Sequence, residues 1–393
     1  MAKSNTPPLR LSWSAILAYL KCQRKFELAY GNNLQKIPGA ESRALMLGSA
    51  THAGVEAALL HNFNTNDSDP YVLVTAAISG VRKYIQVATI RNKTIYNYEY
   101  RTLVPDNEYY MMVREVGKLA EELVRFHVPL IGIGTRYLTA STEDVLQNVP
   151  PNTAKLQKGV KLATPAIEWN FEYDLGENTI LTGTVDTVLW SVEDEGYVVV
   201  DWKTRGAFPI DSLAMLDGQT HLYAAVINAF AYHYRKVNPI KAVAMWQLRT
   251  KTPSPASISV KTNLPNTGAA SYDTTWDYWV ETLPAGIDPE KYRELMEPKM
   301  KSPDEFQRVL KSVVTEASSA LAVENVQVAA ESIRAALATG KALPAILSSD
   351  GCKFCDFVPI CSTALRYGGD VKSVIDHQYM QREGRIAMND YGE

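Results

Sequence analysis

The sequence predicts an α/β (α+β) fold in which a strand-rich core sits between two helical blocks. Three observations carry this expectation. Ala166-Ile-Glu-Trp-Asn-Phe-Glu-Tyr173 alternates apolar and polar side chains with the period of a half-buried strand. Two β-rich runs follow, Thr179–Trp190 and Tyr197–Lys203, separated by the turn residues Asp194-Glu-Gly196. On either side of this stretch apolar residues recur at helical spacing.

Taken in order, Leu11 to Tyr30 reads as one amphipathic helix. Ser12 or Ser14 caps it, Ile16, Leu17, Leu20 and Phe26 share its apolar face, and Gly31-Asn32-Asn33 stops it. Cys22 is therefore expected on a rigid element. A second helix spans Arg43 to His61, and Asn64–Asp69 is a polar break. The helical pattern resumes from Tyr71 to Ile131, interrupted by a tyrosine-rich stretch around 95–110 that fits neither template. Beyond the strands, Asp211–Tyr234 is helical and Ala242–Arg249 strand-like. From Tyr272 onward the pattern is helical again, with a long stretch at Asp304–Leu337. The polar tail after Arg366 is expected to pack poorly. The expected divisions are residues 1–63 (N-terminal helices), 64–160 (helical insertion), 161–250 (core), 251–349 (helical extension), 350–365 (cysteine segment) and 366–393 (tail).

Composition narrows the function classes. With 46% hydrophobic and 21% charged residues the chain can bury an ordinary core. A formal net charge of −3 gives no general pull toward nucleic acid, so any such binding needs a local basic patch. The opening Met-Ala-Lys-Ser-Asn-Thr-Pro-Pro lacks the apolar run of a signal peptide. No stretch approaches the roughly 20 apolar residues of a membrane span. A cytoplasmic location without a membrane partner is expected. There is no Gly-x-x-x-x-Gly-Lys-Ser/Thr phosphate loop, so a helicase motor would have to be a separate partner.

Chemistry-bearing residues gather in two places. Cys352, Cys355 and Cys361 lie in one short segment, and Cys22 lies near the other end of the chain. A long chain with so few thiols does not read as a disulfide scaffold, and closely spaced cysteines in an intracellular protein more often hold a metal. The second place is the hairpin. Asp186 interrupts an apolar strand, and Asp201 and Lys203 end the next one two residues apart, hence on one face. Acid-x-Lys at a strand end is most often a solvated terminus or a structural ion pair. Converging buried charges need compensation, which a divalent cation among carboxylates supplies.

Gly183-x-x-Asp186, followed after a short hairpin by Asp201-x-Lys203-Thr204, resembles the active-site signature of the PD-(D/E)XK nuclease superfamily. It is most similar to the branch holding RecB-type exonucleases and the small CRISPR-associated nucleases. Gly48-x-x-x-His52 resembles that branch's metal-binding histidine motif, and Gln219-x-x-x-Tyr223 its glutamine–tyrosine motif. Cys22 with Cys352, Cys355 and Cys361 resembles its 4Fe–4S staple, and Leu11-Ser-Trp-Ser-x-Ile-x-x-Tyr-x-x-Cys22 its N-terminal helix. Val185 stands where the superfamily often has proline, and the helical blocks at 65–160 and 270–345 exceed those of the small members.

The resemblance implies a restriction-endonuclease-like central mixed sheet flanked by helices. Large helical insertions would surround it, and a metal cluster would join the N- and C-terminal regions. It implies that His52, Asp186, Asp201 and the Trp202 carbonyl hold Mg2+ or Mn2+, and that Asp186, Asp201 and Lys203 carry catalysis. Gln219 and Tyr223 would position the substrate, and Glu168 would be an outer metal or water contact. Glu56, four residues after His52, would orient the imidazole or simply face solvent. The implied activity is that of a Mg2+/Mn2+-dependent deoxyribonuclease. It would be an exonuclease on single strands or DNA ends, in repair, recombination or defence, working with a separate helicase or recombination partner. Two other readings stay open: a catalytically inactive nucleic-acid-binding or assembly subunit, and a zinc-stapled structural protein. Zinc tolerates four thiolates as well, so Zn2+ is the alternative to 4Fe–4S.

Overall fold

The strand Gly196–Arg205 sends Tyr197 and Val199 to one side and Val198, Val200 and Trp202 to the other, and both sides are buried. A strand covered on both faces needs a helical layer on each. The computed structural model describes residues 8–36, 43–99, 106–151, 164–211, 218–345, 349–353, 355–367 and 370–381.

The elements begin with β1 (Leu9–Ser12), α1 (Trp13–Lys21), α2 (Gln23–Phe26), a π-helical turn at Glu27–Gly31 and β2 (Leu34–Lys36). Three long helices follow: α3 (Arg43–Thr65), α4 (Pro70–Glu99) and α5 (Asp106–Ile131). Next come β3 (Tyr137–Thr139), α6 (Thr142–Gln147), β4 (Ile167–Gly176), β5 (Thr179–Ser191), β6 (Gly196–Arg205), α7 (Gly218–Arg235) and β7 (Ile240–Arg249). The remainder holds α8 (Trp276–Glu281), α9 (Arg293–Met296), β8 (Gln307–Val313) and α10 (Glu316–Ala338). Last are α11 (Ser349–Cys352), α12 (Val358–Tyr367), α13 (Val371–Gln378) and β9 (Tyr379–Gln381).

Among the described residues, β1 and β3 to β8 form one mixed sheet, the architecture expected. β1 runs parallel to β5 and β6 parallel to β7, and the other pairings are antiparallel. One face packs on α1, α7 and α10 through Ile16, Val226 and Ile333, with Val185 and Val199 from the sheet. The other packs on α3, α4 and α5 through Val55, Val81 and Leu123, with Val200, Trp202 and Trp246. No helix among the described residues is long and apolar enough to cross a membrane.

The long strand β5 positions the site. Thr187 is paired on both sides, by Ile167 of β4 and Val200 of β6, so those two strands occupy opposite edges of β5. β4 also pairs opposite Thr179–Thr182, where β1 pairs too, so β1 lies on the β6 edge. β1 covers that edge as far as Thr182 and β6 begins at Thr187. Gly183–Asp186 therefore has no strand partner on that edge among the described residues, which leaves a notch in the sheet.

Three expectations are corrected. Leu11–Tyr30 is not one helix: Leu9–Ser12 is strand, Ser12 caps α1, and the chain breaks at Cys22, which is extended (φ −163°, ψ 109°). Cys22 thus sits at a hinge between α1 and α2. Residues 307–313, placed in a helix, form the strand β8, whose pairing with β7 decides against a weak helical pattern. The tail is not loose as far as residue 381, because β9 pairs with β2, and Tyr379 joins Leu28, Leu34, Phe357 and Ile360 in a small core of its own. Residues 100–105, at the heart of the unassigned tyrosine-rich stretch, lie outside the described residues.

Close packing of α3 on α4 depends on glycine. A Cβ built on Gly80 would lie 2.4 Å from the Ala53 carbonyl oxygen and 2.6 Å from the Ala57 Cβ. Gly80→Ala would gain about 1 kcal/mol of helix propensity. Overpacking costs about 1–3 kcal/mol, and a backbone oxygen cannot rotate aside. Net destabilisation is expected, read as a lower urea midpoint, and a higher midpoint would disprove the close approach.

His127 on α5 is fully buried and ties that helix to the sheet. Its Nε2 donates to the Arg249 carbonyl at 3.1 Å. In the amide orientation that satisfies every partner, Gln307 donates to His127 Nδ1 at 2.9 Å and accepts from Trp246 Nε1 at 2.8 Å. Burial pulls the imidazole down from 6.5 to about 4, against the opposing hydrogen bonds. The unfolded chain takes up this proton at the higher pH, so acid favours unfolding through that window. About 3 kcal/mol of stability is expected to be present above the unfolded pKa and lost as pH falls through the window. Urea midpoints of the wild type should fall more steeply between pH 7 and pH 4 than those of His127→Gln.

Candidate active site

β6 carries Asp201 and Lys203 on the side of Tyr197 and Val199, the α1–α7 side, because residues two apart share a strand face. Asp201 is buried and takes the Lys203 ammonium on Oδ1 at 2.7 Å. The Asp201 side chain is 4% exposed and that of Lys203 is 29%, so the pair neutralises a buried acid from the cleft side.

Asp186 lies at the end of the notch. Its Oδ2 accepts the Trp202 backbone N–H at 3.0 Å, which fastens the point where β6 splays from β5. The opposite layer supplies His52 from α3, whose Nδ1 is 3.9 Å from the same Asp186 oxygen. Gly48, one turn earlier on α3, lets the helix approach: a Cβ there would meet Thr204 Oγ1 at 3.0 Å. Burial lowers the His52 pKa; the Asp186 charge opposes this, Lys203 reinforces it, and a hydrogen bond with the Trp202 main chain opposes it. The imidazole is thus biased toward the neutral form, whose lone pair can meet a cation.

Glu168 faces this cluster across the strand pair. Ile167 lies opposite Thr187 and Trp169 opposite Val185, so the register sets Glu168 against Asp186. Its backbone is left-handed (φ 47°). That break flips β4: Ile167 packs with the α3 layer, whereas Trp169 and Phe171 pack on the α7 side. A glutamate held there costs about 1–3 kcal/mol of strain. Desolvation, then the charges of Asp186 and Glu56, push its carboxyl up to about 7. The residue keeps access to solvent, which screens the two repelling charges.

Gln219 and Tyr223 share a face of α7, with Gln219 Nε2 3.3 Å from the Tyr223 hydroxyl. The Tyr223 ring meets Phe171 edge-on at 5.2 Å. A Cβ on Gly183 would lie 2.6 Å from the Phe171 ring, so the glycine lets these aromatics close over β5. Glu56, whose spacing from His52 suggests either an orienting role or a solvent-facing acid, feels desolvation and reaches Glu168 electrostatically. Arg205, passed over in the sequence, continues the Asp201–Lys203 face, and its Nε is buried without a hydrogen-bond partner.

Compared with protein families, the chain matches the PD-(D/E)XK nuclease superfamily across residues 10–362. The chain belongs to that superfamily. Comparison with curated proteins finds no match. The matched region spans β1 to α12, so it takes in the notch, both acids and all four cysteines. As a PD-(D/E)XK protein the chain has the fold of metal-dependent nucleases.

Among the described residues, no three His, Cys, Asp or Glu side chains are gathered into a ready-made metal site. Asp186 and Asp201 each give an oxygen to a protein donor instead. The donor set nevertheless suits a hard divalent cation: two carboxylates, a main-chain carbonyl at Trp202 and an imidazole biased to neutrality. The other three cysteine thiols lie within electrostatic reach of Cys361. Burial pushes Cys361 up and nearby Arg24 pulls it down, while Cys355, Cys22 and Cys352 all lie close enough to push it further up.

Proposed function

We propose that this PD-(D/E)XK protein is a Mg2+- or Mn2+-dependent deoxyribonuclease, an exonuclease acting on single strands or DNA ends. What supports the reading is one convergence: Asp186, Asp201, Lys203 and His52, from three separate elements, meet at the notch. In this reading His52, Asp186, Asp201 and the Trp202 carbonyl hold the cation. When bound, the cation would polarise the scissile phosphate and acidify a water. Lys203, which can swing from Asp201 toward the open cleft, offsets the charge gathering on the phosphoryl oxygens. The water oxygen bonds to phosphorus and gives up one proton to solvent, the phosphorus–oxygen ester bond breaks, and the departing oxygen takes up a proton from solvent in exchange.

The test is digestion of end-labelled single- and double-stranded DNA with Mg2+, with Mn2+ and with chelator. Cation-dependent release of mononucleotides or short fragments is expected. DNA binding without cleavage under every cation would replace this reading with a binding subunit. We further infer that Cys22, Cys352, Cys355 and Cys361 hold a 4Fe–4S cluster that staples the chain ends, with Zn2+ as the rival occupant.

A further inference from the structure

Beside the notch lies a cavity of about 610 Å3 on the side of α1 and α7. Its walls come from separate elements: Trp13 opens α1, Asn170 belongs to β4, Thr182 and Thr184 to β5, and Gln219 and Tyr223 to α7. The size falls in the range of small-molecule sites, about 300–1,000 Å3.

The chemistry of the wall selects the occupant. Its charged side chains, Arg10 and Glu172, neutralise each other in an ion pair. A free anion would meet no net positive charge here. The other polar groups are hydroxyls and amides, several already joined: Thr184 donates to Asn170 at 2.7 Å, and Ser12 and Ser14 stand 3.0 Å apart. Three aromatic rings complete the wall. Phe171 is engaged edge-on by Tyr223, whereas Trp13 is only partly buried, and its Nε1 is enclosed without a hydrogen-bond partner. The start of α7 packs closely against the indole, since a Cβ on Gly218 would come within 2.8 Å of its ring.

A neutral lining, a partly buried indole and a ring of donors and acceptors suit an unpaired nucleoside: a flat base to stack, with hydrogen-bonding edges and hydroxyls. Location agrees. Thr184 is two residues before Asp186, and a strand advances about 3.3 Å per residue, so this wall stands about 7 Å from the acid. We propose that the cavity receives the unpaired nucleoside flanking the scissile phosphate, its base stacked on Trp13. This rests on the nuclease reading above and gives it a substrate class, because a base paired within a duplex must leave the stack to enter such a pocket.

Fluorescent single-stranded oligonucleotides, intact or with one abasic nucleotide stepped along the strand, test this by anisotropy without divalent cation. For the wild type, one abasic position should weaken binding about five- to a hundred-fold, the size of base–aromatic stacking losses. Trp13→Ala should lose a similar factor on intact strands and become indifferent to the abasic position, and Trp13→Phe should recover most of the loss. In turnover, Trp13→Ala should raise KM far more than it lowers kcat. Equal binding of intact and abasic strands by the wild type would overturn the pocket, as would a Trp13→Ala protein still sensitive to the abasic step. The abasic pattern without cleavage in Mn2+ would support the pocket and defeat the nuclease. Cleavage without the pattern would do the reverse.

Discussion

Asp186→Asn is expected to lower cation-dependent DNA cleavage roughly a thousand-fold, the several kcal/mol a bound divalent ion contributes to phosphoryl chemistry. Asparagine is the informative replacement because its side-chain oxygen can still accept the Trp202 N–H that fastens β6 to β5. The fold should therefore survive, with an unchanged melting temperature in chelator. Lys203→Ala should also lose cleavage, by about a hundred- to a thousand-fold if the ammonium offsets developing charge. It differs in stability, because it leaves the buried Asp201 without its cation, and stripping a buried carboxylate of its partner is costly. The two variants separate ion binding from charge stabilisation. Mn2+ should raise the melting temperature of the wild type and of Lys203→Ala, which keeps both acids, but not that of Asp186→Asn. Wild-type cleavage rates in Asp186→Asn would end the assignment, and so would an undiminished Mn2+ shift.

The hairpin was legible because its residues obey strand periodicity and its acids break it. Asp186, Asp201 and Lys203 could be named from the sequence, and the structure brings them together with His52. Other features depend on partners distant in the chain. Gln307–Val313 becomes a strand only because β7 offers an edge to pair with, and Leu9–Ser12 only because β5 does. The spacing of its neighbours puts Cys22 in a helix, whereas the chain turns there to begin a second packing unit with Phe357 and Tyr379. The left-handed backbone at Glu168 left no local trace. A glutamate in an alternating strand gives no hint of a left-handed backbone, yet that backbone turns Ile167 toward one layer and Phe171 toward the other. The notch is likewise invisible in any single segment, since it is the space between where β1 stops and β6 starts.

Cys355→Ser is expected to open the terminal unit while leaving the sheet folded. That unit is small: Leu28, Ala29, Leu34, Phe357, Ile360 and Tyr379 form its core, and a three-residue pairing of β2 with β9 closes it. Such a core does little to offset the entropy of ordering two chain segments more than three hundred residues apart. A cluster held by Cys22 and the C-terminal thiols would close that loop, and losing a native cross-link costs about 2–5 kcal/mol. Burial and the other cysteines hold the Cys361 thiol up against the pull of Arg24, so a bound metal itself would have to draw that proton off. Hydrogen exchange should therefore quicken across residues 23–36 and 355–381 in Cys355→Ser, with β5, β6 and β7 still protected. Anaerobically purified wild type should be brown with broad visible absorption, and the variant should lose that colour. A colourless wild type carrying stoichiometric zinc would change the metal but keep the staple. Unchanged exchange in Cys355→Ser would remove the staple altogether, because the small core alone would then be sufficient to hold the ends together.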